Sequence, residues 1–272
     1  MRNFFNPSVA AQVALAAVAI LPVAGQTATA FKPPRLADGH PNLNGIWQAM
    51  NSANWDMEPH AASQSPVLEA GALLAAPAGI GVVEGGTIPY KPEALNKRNE
   101  NRANRMKLDP EVRCYLPGVP RATYMPYPFQ IFQSTKAFTI AYEYDGAFRN
   151  IFLKDPGPAP IDTWMGQSYG KWEGDTFVVD VTGLDERTWF DRSGNYHSDQ
   201  LHVVERYTLR SLEILWYEAT IEDPKVFTKP WKISMPLYRH VEKDAQLMEF
   251  KCVEFVEDLM YGQFSKKPAT KE

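Results

Sequence analysis

The chain has 272 residues, of which 44% are apolar and 22% charged, and its net charge is -4. That composition can fill one sizeable core. The slight acidic excess gives no electrostatic reason to bind nucleic acid or an anionic membrane.

The first segment, Met1 to Ala30, opens with Arg2, continues through the small apolar run Val9 to Ile20 and ends in Ala28-Thr29-Ala30. This is the pattern of an export leader cut at an A-x-A site. The run is too short, once Pro22 interrupts it, to span a bilayer securely. The expectation is a signal peptide over residues 1–30 and a single domain over 31–272. The mature protein is expected in the periplasm with no stable membrane anchor. Cys114 and Cys252 are the only cysteines. In an oxidising compartment such a pair reads as a disulfide, here tying an early segment to the last strand.

Pro33 to Pro41 is a proline-rich approach to Leu43-Asn44-Gly45-Ile46-Trp47-Gln48. Residues 59–105 read as a lid-like excursion. Pro59 to Pro89 is dominated by Ala, Gly, Ser and Pro with little periodicity. Pro92 to Arg105 is expected to be a short helix, solvated on its Asn/Lys/Arg side. From Pro126 onward the texture is that of strands. Phe138 to Tyr144 alternates large apolar with smaller or polar residues, Asp145-Gly146 signals a turn, and Ala147 to Leu153 returns. Tyr169 to Trp172 and Thr176 to Thr182 flank the turn Glu173-Gly174-Asp175. Further strands are expected over Leu201 to Leu209, Glu213 to Ile221, Trp231 to Tyr238 and Gln246 to Phe255. Many similar strands without crossover helices exclude a parallel α/β sheet. The expected fold is all-β and antiparallel, a closed barrel before a two-sheet sandwich. Gly45-Ile46-Trp47 is similar to the G-x-W opening of lipocalin-like barrels, which favours the barrel.

Reactive side chains concentrate between Asp185 and Arg206. Imidazole can exchange a proton near neutral pH, and His197, Asp199 and His202 lie together here. His197 reads either as a general base oriented by Asp199 or as a turn histidine bonded to a backbone carbonyl. On the strand from Leu201, alternation separates Val203, Glu205 and Tyr207 from His202, Val204 and Arg206. Glu205 is then a cavity acid–base group or a structural partner for an arginine of the next strand. Arg149, Arg187 and Trp189 are candidate ligand contacts, and Tyr124, Tyr127 and Phe129 are candidate aromatic clamps on a proline-stiffened loop. His197-x-Asp199-x-x-His202 has ligand types that suit a metal, but its spacing fits no recognised motif, and no metal is assigned. No G-x-G-x-x-G after a strand, P-loop, C-x-x-C or G-x-S-x-G is present, so neither a nucleotide cofactor nor a covalent hydrolase mechanism is indicated.

Several longer phrases resemble one family of exported, β-rich bacterial proteins. They are Asp38-Gly39-His40-Pro41-Asn42-Leu43-Asn44-Gly45-Ile46-Trp47, the run from Cys114 to Arg121, the run from Gly170 to Asp180, and His197 to Arg206. Asp223-Pro224 and Thr228-Lys229-Pro230-Trp231 complete the set. Some proteins of this look are linked to breakdown of lignin-derived aromatic dimers, including lyases that release formaldehyde from a hydroxymethyl side chain. The resemblance therefore implies a cofactor-independent lyase acting on a small, hydrophobic aromatic substrate. His197 held by Asp199 would take the substrate proton, and His202 or Glu205 would serve the leaving side. Tyr127 or Arg187 would hold the substrate. The alternative is a periplasmic protein that binds a hydrophobic ligand without transforming it. The family pattern carries a histidine near Gln167, where this chain has Gln167-Ser168, so a mechanism through that imidazole is not shared.

Overall fold

Nine strands close into one barrel. In the computed structural model they are β1 (Gly45–Ala49), β2 (Phe129–Gln133), β3 (Phe138–Tyr142), β4 (Phe148–Phe152), β5 (Gln167–Glu173), β6 (Thr176–Thr182), β7 (His202–Leu209), β8 (Ile214–Glu222) and β9 (Trp231–Arg239). The structure describes residues 31–65, 74–261 and 263. The expected leader and its cleavage site lie outside these residues, as do residues 66–73 of the excursion. The described residues from Lys32 onward form one compact unit. No helix among the described residues is long and apolar enough to cross a membrane.

Each strand pairs with its neighbours in sequence, and β9 pairs with β1 to close the barrel. The expectation of a wholly antiparallel sheet is corrected at one seam, because β4 and β5 run parallel. A parallel pair needs a long return path, and residues 153–166, with Pro156, Pro158 and Pro160, supply it. That seam is short. β4 meets β5 only over Ile151–Phe152 and Ser168–Tyr169, whereas β7 and β8 pair almost end to end. The expected strand at Gln246 to Phe255 does not form. With β9 already bonded to β8 and β1, no edge is left to accept it, and its alternating side chains instead lie in a strap that leads to a short helix, Val256–Tyr261. Phe129, expected on a loop, begins β2.

The core follows from the two-residue period of the strands. Val203, Glu205, Tyr207 and Leu209 of β7 point inward beside Leu215, Tyr217, Ala219 and Ile221 of β8. Phe138 stacks on Phe177 with ring centroids 4.1 Å apart. Trp47 is fully buried, donates Nε1–H to the Leu43 carbonyl at 3.0 Å, and is covered by the Arg239 guanidinium 4.2 Å from its ring centroid.

Among its described residues the excursion adds no strand to the barrel but packs on it. Val83 and Tyr90 bridge to Ile233 and Phe227, and Val83, Ile88 and Ala94 belong to the core. Its helix α1 (Pro92–Ala103) is followed by the single turn α2 (Arg105–Leu108). α1 is not solvated all along its polar side, because Arg98 and Asn101 are buried. They sit against the loop at Gly194, which has φ +85° and lies so close that a Cβ there would be 2.7 Å from the Arg98 carbonyl oxygen and 2.6 Å from the Arg102 nitrogen. Gly194→Ala should therefore cost about 2–4 kcal/mol, from backbone strain together with overpacking. Urea denaturation measures it, and a midpoint equal to wild type would refute the close approach.

Candidate functional site

The four residues expected to move protons are not brought together. His197 is 2% exposed. Its Nδ1 lies 2.8 Å from the Ser198 carbonyl, which can only accept, so Nδ1 carries the proton and Nε2 accepts from the Thr188 hydroxyl at 2.6 Å. Burial pulls the imidazole below its ordinary 6.5, against the opposing Ser198 carbonyl and the Asp223 and Asp185 charges. Asp199, expected to orient His197, instead accepts from Lys225 at 2.6 Å on the surface. His202 lies on the outward face of β7, 3.0 Å from Asp180 and 3.5 Å from Glu222. The alternation that turns Glu205 inward turns His202 outward.

His197 thus acts as a buried bracket, and His197→Ala should destabilise by about 1–3 kcal/mol by stranding two polar partners. Because the folded ring resists protonation, its contribution is present above pH 6.5 and is lost as pH falls through its lowered folded value. The alanine variant should show a flatter stability profile over that window in denaturant titrations. An identical profile would remove His197 from the linkage.

Glu205 and Arg149 do meet, fully inside the barrel. Glu205 accepts from Arg149 Nη2 and from the Tyr207 and Tyr217 hydroxyls at 2.9 and 2.8 Å, while Arg149 Nε donates to Ser168 Oγ at 2.7 Å. The arginine comes from β4 and not from a strand next to β7. Burial first, and the Glu205 charge second, raise the Tyr207 and Tyr217 phenols far above their usual range. Thr123 Oγ1, Tyr142 OH and Arg149 Nη1 are buried nearby without a hydrogen-bond partner.

The other expected ligand contacts are scattered. Trp189 is part of the core. Arg187 is exposed, forked onto Asp185 and laid over the Trp164 ring at 4.3 Å. Tyr124 is buried, with its hydroxyl on the Phe190 carbonyl at 2.8 Å. Tyr127 lines a cleft.

That cleft, of about 650 Å³, lies between the body of the domain and the C-terminal strap. Tyr127 and Tyr144 face Phe250 of the strap, with ring centroids 4.5 and 5.4 Å from it. The expected disulfide is present, and Cys114–Cys252 pins the strap two residues beyond Phe250. The polar side of the cleft is a charged network. Arg121 donates to Asp109, Glu111 and Asn54, and Arg192 forks onto Glu111 at 2.7 and 2.6 Å. Burial would raise the Glu111 carboxyl, but Arg192 and Arg121 outweigh it and bring it to about 2.

A second cleft, of about 690 Å³, adjoins the first, and Leu74, Arg105 and Arg192 line both. Arg98, Arg102 and His60 line it as well. His60 Nδ1 lies 2.7 Å from the Glu58 carbonyl, which fixes the proton on Nδ1, and its buried Nε2 has no partner. Beneath this cleft Asp191 is pushed up to about 7, by burial first and by the Asp56 carboxylate second, against donors from Asn195 and Met57.

The strap wall, His60 and the arginine row are absent from the expectations. One signal for them exists in the sequence: Arg98, Arg102 and Arg105 are spaced by four and three residues, which puts them on one side of a helical segment. Phe250 could be located from its distance to Cys252, given the disulfide. Among the described residues no group of three or more His, Cys, Asp or Glu side chains is placed to hold a metal. The chain matches no family model, no curated protein and no solved structure.

Proposed function

We propose that this is an exported protein that binds a small aromatic molecule in the cleft beneath the C-terminal strap. The observation that carries the reading is the contact cluster of Tyr127, Tyr144 and Phe250, which gives a cleft of about 650 Å³ an aromatic wall. That volume and an apolar lining with a few fixed polar groups are what small-molecule sites have. The disulfide fits an oxidising compartment such as the periplasm. Lignin-derived aromatics are the substrate class that the sequence resemblance suggests. Binding is favoured over chemistry in this cleft because Glu111 is held far below neutrality and burial raises both tyrosines. A lipocalin-like barrel is the finer fold reading, supported by buried Trp47 on the first strand. Calorimetric titration with 4-hydroxybiphenyl should give saturable binding, weakened about ten-fold or more by Tyr127→Ala or Phe250→Ala. Affinity unchanged in both variants would place the ligand elsewhere.

One observation favours the lyase as a second reading. His60 has a fixed tautomer and an uncommitted Nε2 on the wall of the adjoining cleft, as a general base requires. Both nitrogens of His197 are already engaged. Nε2 is buried, so this reading requires the cleft wall around His60 to open for substrate. Lignin-type dimers bearing a free hydroxymethyl group should then release formaldehyde, with His60→Ala slowing turnover about 10²–10⁴-fold. Binding without product in the wild type would leave the carrier.

A further inference from the structure

His60 has a second reactive neighbour, on the side away from the cleft beside α1. His60 and Gly79 exchange both backbone hydrogen bonds, at 2.9 and 3.0 Å, so the imidazole leans over a residue with no side chain. A Cβ on Gly79 would overlap Ser52 Oγ and would stand 2.6 Å from His60 Cε1 and 3.1 Å from His60 Nε2. The hydroxyl and the Cε1–Nε2 edge of the ring therefore converge on one point over Gly79. Neither is engaged: among the described residues Ser52 Oγ and His60 Nε2 have no hydrogen-bond partner. A serine with a purely local role turns its hydroxyl to nearby backbone, and this one does not. The Glu58 carbonyl, 2.7 Å from Nδ1, keeps Nε2 the accepting nitrogen.

On its open side Ser52 lines a groove of about 660 Å³ with Met50, Asn51, Ile80, Trp216 and Pro236. The Asn51 amide is held through Oδ1, which accepts the Ala53 N–H at 3.0 Å, while Nδ2 meets the Met235 thioether at 3.2 Å. Sulfur is a weak acceptor, so a carbonyl oxygen beside Ser52 would displace it.

We propose that Ser52 is an acylatable nucleophile, with His60 as its base and Asn51 as the donor to the oxyanion, and that the groove takes an ester with an apolar acyl group. Ser52 Oγ bonds to the ester carbonyl carbon and its proton passes to His60 Nε2. The carbonyl C–O bond then breaks, and the alcohol leaves with that proton. Water next gives a proton to Nε2 and its oxygen to the acyl carbon, which releases the carboxylic acid and restores Ser52. Substrate meets the hydroxyl from the groove, and Nε2 has only to meet Oγ. Such pairs are often loose before substrate binds and tighten in the complex. This site shares its imidazole with the lyase reading and has no part in the aromatic cleft.

The test is labelling of the folded, oxidised protein with diisopropyl fluorophosphate, read by intact mass and peptide mapping. One phosphoryl group should appear, on Ser52, and Ser52→Ala should abolish it. His60→Ala, shown to be folded by its urea midpoint, should label about 10²–10⁴-fold more slowly. 4-Nitrophenyl butyrate should be hydrolysed with saturation. Asn51→Asp, which keeps the acceptor for Ala53 and removes the N–H donor, should lower kcat about 10²–10³-fold. A wild-type protein that takes no label, or takes it on another residue, would overturn the proposal. Labelling of Ser52 at an equal rate in folded His60→Ala would also overturn it, by removing the base. The lyase reading is judged separately, because formaldehyde release there needs His60 and not Ser52.

Discussion

Glu205→Leu should destabilise the barrel by about 3–5 kcal/mol, the largest loss expected from any single substitution here. The glutamate is wholly buried and takes hydrogen bonds from Arg149, Tyr207 and Tyr217. Removing it leaves the Arg149 guanidinium charged in the interior, bonded to Ser168 with the Tyr142 hydroxyl beside it, and two phenols without their acceptor. Arg149→Met alone should cost a similar amount, because it strands the carboxylate instead. The double variant is the informative one. When both charges go together, most of the penalty disappears, and an apolar pair of similar volume is close to neutral. Urea denaturation of the four proteins therefore forms a cycle with a coupling of at least about 2 kcal/mol. Simple addition of the two losses would mean that the pair is not an isolated internal couple. The same experiment separates structure from function. A structural pair predicts that the stable double variant keeps its affinity for the aromatic ligand, since Glu205 and Arg149 lie apart from the aromatic cleft.

Much of the barrel was legible because a two-residue period is a property of local sequence. β6 falls on the expected Thr176 to Thr182, and β7 and β9 differ from expectation by one residue at one end. The failures are of two kinds. The parallel seam depends on how residues 153–166 travel in space, which no alternation of side chains records. The strap at Gln246 to Phe255 has a strand-like pattern, but a closed barrel offers it no edge, and closure is a global fact. The site was less legible for the same reason. His197 and Asp199 are neighbours in sequence, yet one turns into the core and the other into solvent. Tyr127 and Phe250 are far apart in sequence and face each other. Glu205 was readable as one of two alternatives, and the structure supplies the arginine partner, from an unexpected strand.

Loss of the disulfide should act on both stability and binding. The bridge closes 138 residues, and the chain-entropy model assigns such a loop about 5 kcal/mol, with native bridges commonly worth about 2–5 kcal/mol when removed. Cys114→Ser combined with Cys252→Ser should therefore lower the urea midpoint clearly. The barrel should still form, because no strand pairing involves either cysteine. What comes loose is the strap. Without the bridge it keeps the Phe255 N–H on the Val112 carbonyl, the Met248 N–H on Glu143, and the ring contacts of Phe250. These are few and close to solvent, so the strap belongs to the low-stability end of the molecule. Hydrogen exchange in the double-serine protein should rise at Met248 and Phe255 well before it rises in β7 and β8. Ligand affinity should fall with it, since Phe250 is one wall of the aromatic cleft and must be reordered on each binding event. A lowered midpoint with unchanged affinity would confine the disulfide to stability and detach the strap from binding. Unchanged exchange at Met248 and Phe255 would show that the remaining hydrogen bonds and ring contacts hold the strap in place without the bridge.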